Sequence, residues 1–301
     1  MKINCPRSEC RSHLWSDPKS SPIVRNGFFR RSSDCRRIRR YFCRSCKNYF
    51  STASFRADRY QKKRRINFHL NRLYCSGVSQ RRLARVLGVN PKTVVRKIRF
   101  LAQQERVRHE AFLDSHYKSK PLALIQFDDL ETSEHTKCKP LSVTLAVDPL
   151  SRKILKFQIS SMPAKGHLAQ ISRRKYGFRR DERPKNWRKF MKELVPYVTP
   201  HCVWSSDENP FYRSPLKMYH PNATHRRYKG ARGLSTGQGE LKKLRFDPLF
   251  SLNHTCAMLR ANMNRLFRKT WCTTKNQAGL RDHLSLYVSY HNRVLTECFR
   301  S

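Results

Sequence analysis

Acidic residues are scarce in this sequence. Against 21 Asp and Glu stand 64 Lys and Arg in 301 residues, a formal net charge of +43. That imbalance calls for a polyanionic partner, and nucleic acid is the natural one; a ribosomal or generic basic protein is the plainer alternative. The basic residues run from end to end, so one basic tail does not account for them. Long apolar runs are missing as well. No stretch of about 18 apolar residues exists, which argues against a membrane-spanning helix. The opening residues MKINCPRSEC hold no apolar secretory segment. Internal repeats and low-complexity linkers are absent too. The chain is long enough for two or three small domains with a sizeable core.

Cysteine, by contrast, is plentiful: 11 residues without a visible secretory signal. In the reducing compartment this implies, clustered cysteines serve zinc more often than disulfides. Cys5 and Cys10 form one close pair, and Cys43 and Cys46 a second. Two such pairs across a hairpin-sized loop supply four thiolates for a tetrahedral Zn²⁺. Aromatics flank the second pair (Tyr41, Phe42, Tyr49, Phe50), and residues 23–28 read as a strand and turn. The first pair has four intervening residues rather than two, and Cys35 is an alternative to Cys10. Residues 1–55 are therefore expected to be a zinc ribbon, folded by its metal because it has few apolar residues of its own.

Residues 56–110 read as a helix-turn-helix. A first helix is expected over 62–74. Ser79 then caps a second helix, Gly88 ends it, and Asn90-Pro91 opens a third. A third helix of this kind enters the major groove. Lys92, Thr93, Arg96 and Lys97 are its candidate DNA contacts, with Arg81 and Arg82 on the helix before. An ordinary helical hairpin with a solvated charged face is the bland alternative. Residues 106–120 read as a connection.

From residue 118 to 301 the pattern changes. Residues 122–128, 141–148 and 153–160 read as three strands, 186–198 as a helix and 201–207 as a fourth strand; 224–229 is a further strand candidate. Residues 230–248 read as a loop, and helices are expected over 252–271 and 280–290. Three strands, a helix, a strand and late helices is the order of an RNase H-like α/β domain. Asp128 is read as ending the first strand and Asp207 the fourth, and those strands are neighbours in such a sheet. Asn253 and Arg260 stand seven residues apart, on one helix face. Two carboxylates and an amide oxygen are hard ligands suited to Mg²⁺. Singly, each has an ordinary reading: a strand-end Asp usually caps a turn, as Asp129 and Asp148 would, and Asn253 could be a helix N-cap.

This layout resembles bacterial DDE-type insertion-sequence transposases that carry an N-terminal zinc ribbon and a helix-turn-helix. The stretch Leu252-Asn253-His254-Thr255-Cys256-Ala257-Met258-Leu259-Arg260, continued through Arg265 to Trp271, is similar to that group's third catalytic motif. There an acid or Asn is followed seven residues later by Lys or Arg. The resemblance implies Asp128, Asp207 and Asn253 as ligands of two Mg²⁺ ions and Arg260 as a phosphate contact. Many members have Glu where Asn253 stands. His254 is an alternative third residue, but Ala261 seven residues on cannot hold phosphate. Glu240 is another, 33 residues after Asp207 but in the Gly-rich loop. The resemblance further implies a cytoplasmic, nucleoid-associated enzyme, assembled as a homo-oligomer on double-stranded DNA, that cuts element ends and joins them to a target. A non-enzymatic zinc-ribbon and helix-turn-helix regulator, or an inactive relic of such a transposase, are the competing readings.

Overall fold

A computed structural model describes residues 3–14, 21–32, 35–229, 247–267 and 271–296. The chain divides into two compact units, residues 1–67 and 68–301. Among the described residues, no helix is long and apolar enough to cross a membrane.

The first unit is a three-stranded antiparallel sheet in the order β1 (Ile23–Arg30), β2 (Arg37–Cys43) and β3 (Asn48–Ser51). Its buried centre is small: Cys5, Cys10, Tyr41, Cys43 and Phe50, with the Tyr41 and Phe50 rings stacked at 5.6 Å. Two large side chains cannot offset the conformational entropy of some sixty residues, so this unit needs a further source of stability.

The second unit is mixed α/β. Three helices come first: α1 (Asn67–Tyr74), α2 (Gln80–Val86) and α3 (Pro91–Tyr117). The expected caps are formed. The Ser79 side chain accepts from the Arg82 N–H, the Asn90 side chain from the Lys92 N–H, and Pro91 is the first helical residue. Gly88 turns the chain between α2 and α3 with φ of +59°, a conformation that favours glycine. The connection expected over 106–120 is instead mostly helix, because α3 runs on without a break to Tyr117. Val94, Ile98, Ala102, Leu113 and Tyr117 are buried along one side, together with the polar Lys97 and Glu105.

A five-stranded mixed sheet follows, β4 (Leu122–Ser133), β5 (Pro140–Val147), β6 (Ile154–Ser161), β7 (Val198–Asp207) and β8 (Thr224–Tyr228), in spatial order β6-β5-β4-β7-β8. The pairs β4–β5 and β5–β6 are antiparallel, whereas β4–β7 and β7–β8 are parallel. Helices cover both faces, which is why β5 is buried almost throughout. On one face α5 (Arg183–Leu194), α6 (Arg213–Tyr219) and the short turn Pro210–Tyr212 before it bury Trp187, Phe190, Tyr212 and Leu216 against Ile125, Phe127 and Trp204. On the other, α7 (Phe250–Asn262) and α8 (Gln277–Tyr290) bury Leu252, Leu259 and Leu284 against Leu130, Val143 and Leu145. The start of α3 joins this second layer and its end the first, so α1–α3 share a core with the sheet. The short helices α4 (Leu168–Tyr176) and α6 had no counterpart in the sequence reading.

Several expected boundaries move: the first helix begins at Asn67 rather than 62, α5 spans Arg183–Leu194 rather than 186–198, and β7 begins at Val198 rather than 201. Helix α7 stops at Asn262, well short of residue 271, and Met263 is extended at φ −114°, ψ 101°. Asparagine side chains take over there: Asn262 Nδ2 donates to the Met258 carbonyl and Asn264 Nδ2 to the Gly77 carbonyl. The first is a local side-chain bond of the kind that competes with the helical ladder, and the second ties the chain to a distant loop. Strand β4 does not end at Asp128 but continues to Ser133, paired with β5 alone. The final residues Tyr287–Asn292 are core, as expected, except for the half-buried Tyr290. Asn292 bonds both the N–H and the carbonyl of Ile154 and so pins β6.

Candidate functional site

Four cysteines meet in the first unit. The ligand atoms of Cys5, Cys10, Cys43 and Cys46 all lie within 4.8 Å of one another. Sγ of Cys5 is 3.5 Å from that of Cys46, and Sγ of Cys10 is 3.7 Å from that of Cys43. A tetrahedral zinc with bonds of about 2.3 Å requires sulfur separations of about 3.8 Å, so the set fits that ion. The ten described cysteines are free thiols, and the alternative Cys35 is exposed, outside the cluster. The Ser12 hydroxyl and N–H donate to Cys10 and hold its thiol down at about 6, while burial pushes Cys5 up to about 12. These four could hold a zinc ion, and one would supply the stability that the small core lacks.

The second assembly lies where the parallel pairing of β4 and β7 ends. Ile125 pairs with Trp204 and Gln126 with Ser205. Carrying that offset two residues further brings Asp128 beside Asp207, the last residue of β7. Burial, then the negative charge of Asp207, pushes the Asp128 carboxyl up to about 7. Asp128 Oδ1 accepts from its neighbour's N–H (Asp129, 2.7 Å) and from the Tyr212 hydroxyl at 3.3 Å. Asp207 Oδ1 accepts the Asn209 N–H at 3.1 Å. Tyr212 lies among three acids: burial, then the charges of Asp129, Asp128 and Asp207, raise its pKa well above the usual phenol value.

Alternation sends Asp129 to the opposite face of β4. There it accepts from the Thr144 hydroxyl and from Trp187 Nε1 (3.3 Å), and burial raises its carboxyl. Asp148 has the ordinary role: it accepts from Tyr117, the Leu150 N–H and Ser151, and so caps the turn between β5 and β6.

Helix α7 is tied to the same strand. Gln126, on the Asp128 face, donates to the Pro248 carbonyl at 2.9 Å and accepts from the Leu252 N–H at 3.0 Å. One turn on, Cys256 is close enough to Asp128 and Arg260 to feel both charges; burial, then Asp128, raises its thiol to about 12, and Arg260 opposes. Asn253, Cys256 and Arg260 share that face of the helix. Asn253 is exposed and is not the N-cap; its Nδ2 donates to Asp247 Oδ2 at 2.9 Å. The other oxygen of Asp247 accepts the Leu249 N–H at 3.0 Å. His254 lies on the same helix, partly buried, with its ring 5.8 Å from that of Phe250. Glu240 and residues 268–270 of the motif lie outside the described residues. Among the described residues, no trio of His, Cys, Asp or Glu in the second unit closes as tightly as the four cysteines do. No sequence pattern marks Gln126 or Asp247, and Tyr212 is marked only by standing five residues after Asp207.

On α2 and α3, Arg81, Arg82, Lys92 and Arg96 are exposed and Thr93 is half-buried. Lys97 departs from the expectation. It is 3 % exposed, on the inward side with Val94 and Ile98, because position 97 falls on the buried stripe. No family model matches this sequence, and no curated protein matches it.

Proposed function

We propose that this chain is a DDE-type DNA transposase of the insertion-sequence kind. Its second unit is read as an RNase H-like catalytic fold that carries a helix-turn-helix, and its first as a structural zinc ribbon. The parallel register that sets Asp128 beside Asp207 carries this reading. Two acids some eighty residues apart come from the inner strands β4 and β7 and meet where their pairing ends, beside a helix that bears Asn253 and Arg260. A turn cap or a core ion pair would not need that convergence.

Asp128 and Asp207 repel each other as they stand, and a divalent cation between them would relieve that repulsion; the donor set is all oxygen, as Mg²⁺ prefers. When bound, a pair of Mg²⁺ ions supplies Lewis-acid activation of the attacking and leaving oxygens. The chain's own part is positional. Asp128, Asp207 and the Asn253 amide oxygen would be the oxygen donors that hold the ions, and Arg260 would meet the scissile phosphate through charge-assisted hydrogen bonds. Water attacks phosphorus at the element end, and O3′ leaves as a hydroxyl. That 3′-hydroxyl then attacks a target phosphodiester in the same site and displaces the target strand's own 3′-oxygen, which leaves as a hydroxyl, so no protein nucleophile is used. The exposed Arg81, Arg82, Lys92 and Arg96, with Thr93, dock the element ends in the major groove. Two ends handled together imply a homo-oligomer on double-stranded DNA.

The test is nicking of a labelled duplex that carries the inverted repeats flanking the gene, in Mg²⁺. Asp128→Ala and Asp207→Ala should each abolish nicking and leave DNA binding intact. Full activity in Asp128→Ala would overturn the reading. A wild-type protein that binds those ends without ever nicking them would point to the regulator or the inactive relic.

A further inference from the structure

The β1–β2 hairpin reaches beyond the cysteine-bound core. Strand β3 pairs only with Arg40–Cys43 of β2, so Phe28–Arg30 and Arg37–Arg39 continue as a two-stranded arm with both edges open. At its root Asn26 and Gly27 together oppose Arg40, a bulge in which Gly27 has φ of +61°. Bulges of this kind re-aim the strand that follows. The hairpin, residues 23–43, holds seven arginines and one acid, Asp34.

One face of the arm is ordered by its own side chains. Phe28 pairs with Arg39 across the ladder, and Arg37 and Arg30 share that face. The guanidinium carbon of Arg37 lies 4.1 Å from the centre of the Phe28 ring and that of Arg39 4.3 Å. Two like charges are thus gathered on one ring, which is itself 39 % exposed. Among the described residues no ion pair engages either arginine. Stacking on an aromatic ring holds a guanidinium in a set orientation and lowers the entropy lost on binding. A row of aimed, unneutralised cations on a narrow ribbon complements a regular polyanion, and a two-stranded ribbon fits the major groove of a duplex.

We infer that this arm is a second duplex-DNA binding element, with Arg30, Arg37 and Arg39 on phosphates or base edges and Phe28 as their positioning residue. It rests on the proposed function only in taking DNA as the partner.

The test uses the full chain, zinc-loaded, and fluorescence anisotropy with a labelled duplex and a single strand of equal length over a KCl series. The variant Arg30→Ala/Arg37→Ala/Arg39→Ala is compared with Arg173→Ala/Arg174→Ala/Lys175→Ala, which removes the same charge from exposed positions of α4. The arm variant should weaken duplex binding by about tenfold or more and flatten the salt dependence by about 0.9 for each phosphate that the arm no longer neutralises. The α4 variant should change little. Phe28→Leu, which keeps every charge, should also weaken duplex binding while zinc content stays unchanged. Equal losses in the two triple variants would show bulk charge alone and overturn the inference. A loss confined to the single strand would overturn the duplex as partner. A protein that nicks element ends normally with its arm arginines removed would sink this inference and spare the proposed function. A protein that never nicks, yet needs the arm for duplex binding, would do the reverse.

Discussion

The cysteine cluster and the carboxylate pair are built in opposite ways. Each cysteine pair is a local turn, and one hairpin brings the two turns together; all four sulfurs then converge to within 4.8 Å. The acids come from β4 and β7, with α7 arriving later still, and they meet because two strands pair in parallel. The cysteines converge on each other and suit a metal that would help fold their unit. The acids are held together against their mutual repulsion by a core already built. A ligand set that contributes to folding is stable only when filled, whereas two buried carboxylates that a rigid scaffold imposes on each other stay under tension.

The largest effect that would test this contrast is removal of zinc. Cys43→Ser, or chelation, should release about one Zn²⁺ per chain and unfold residues 1–67, since structural zinc contributes on the order of 10 kcal/mol. The unit 68–301 should keep its helical circular dichroism. A first unit that remains folded and metal-free would erase the distinction.

Next comes the helix over the acids. Asn253→Ala should reduce nicking to near background, while Asn253→Glu should keep some Mg²⁺- or Mn²⁺-dependent activity because it restores an oxygen ligand. Full activity in Asn253→Ala beside an inactive His254→Ala would move the third ligand by one residue.

The tension itself can be read from stability. With the Asp128 pKa raised to about 7 in the folded state, against about 3.9 unfolded, the unfolded chain gives up its proton first as pH rises. The carboxyl has no such effect below about pH 4, destabilises increasingly between about 4 and 7, and does so fully above. In metal-free protein Asp128→Asn should therefore raise the unfolding midpoint at pH 8, by about 2–4 °C per kcal/mol, and leave it unchanged at pH 3.5. An equal gain at both values would show that charge is not the cause.

The smallest effect belongs to the surface. Lys92→Ala with Arg96→Ala should weaken binding to element ends by about tenfold and to random duplex far less. Equal losses would make both residues phosphate contacts only.

Much of this was legible in the residues themselves. The caps at Ser79 and Asn90-Pro91 form as read, because a cap needs only its own turn. The apolar run of β5 announced a buried strand. The reach of α3 to Tyr117 was hidden by its polar outer face, and the inward turn of Lys97 by its charge. The early end of α7 was hidden because Asn264 makes its bond to Gly77, far away in sequence.

By itself the sequence determined the net positive charge, the thiol quartet, the helix caps at Ser79 and Asn90 and the buried strands. These follow from side-chain chemistry within a few residues. The sequence pairs Asp128 with Asp207 only through an assumed sheet order, and the tertiary structure is what brings the two together. Asp128, Asp129, Asp148 and Asp207 all lie in or beside strands, and in isolation they look alike. The register of β4 against β7, together with strand alternation, brings Asp128 and Asp207 together, turns Asp129 toward Trp187, and leaves Asp148 to a turn. A shift of one residue would reverse every side chain on the strand, and the apolar layers packed on both faces oppose that shift.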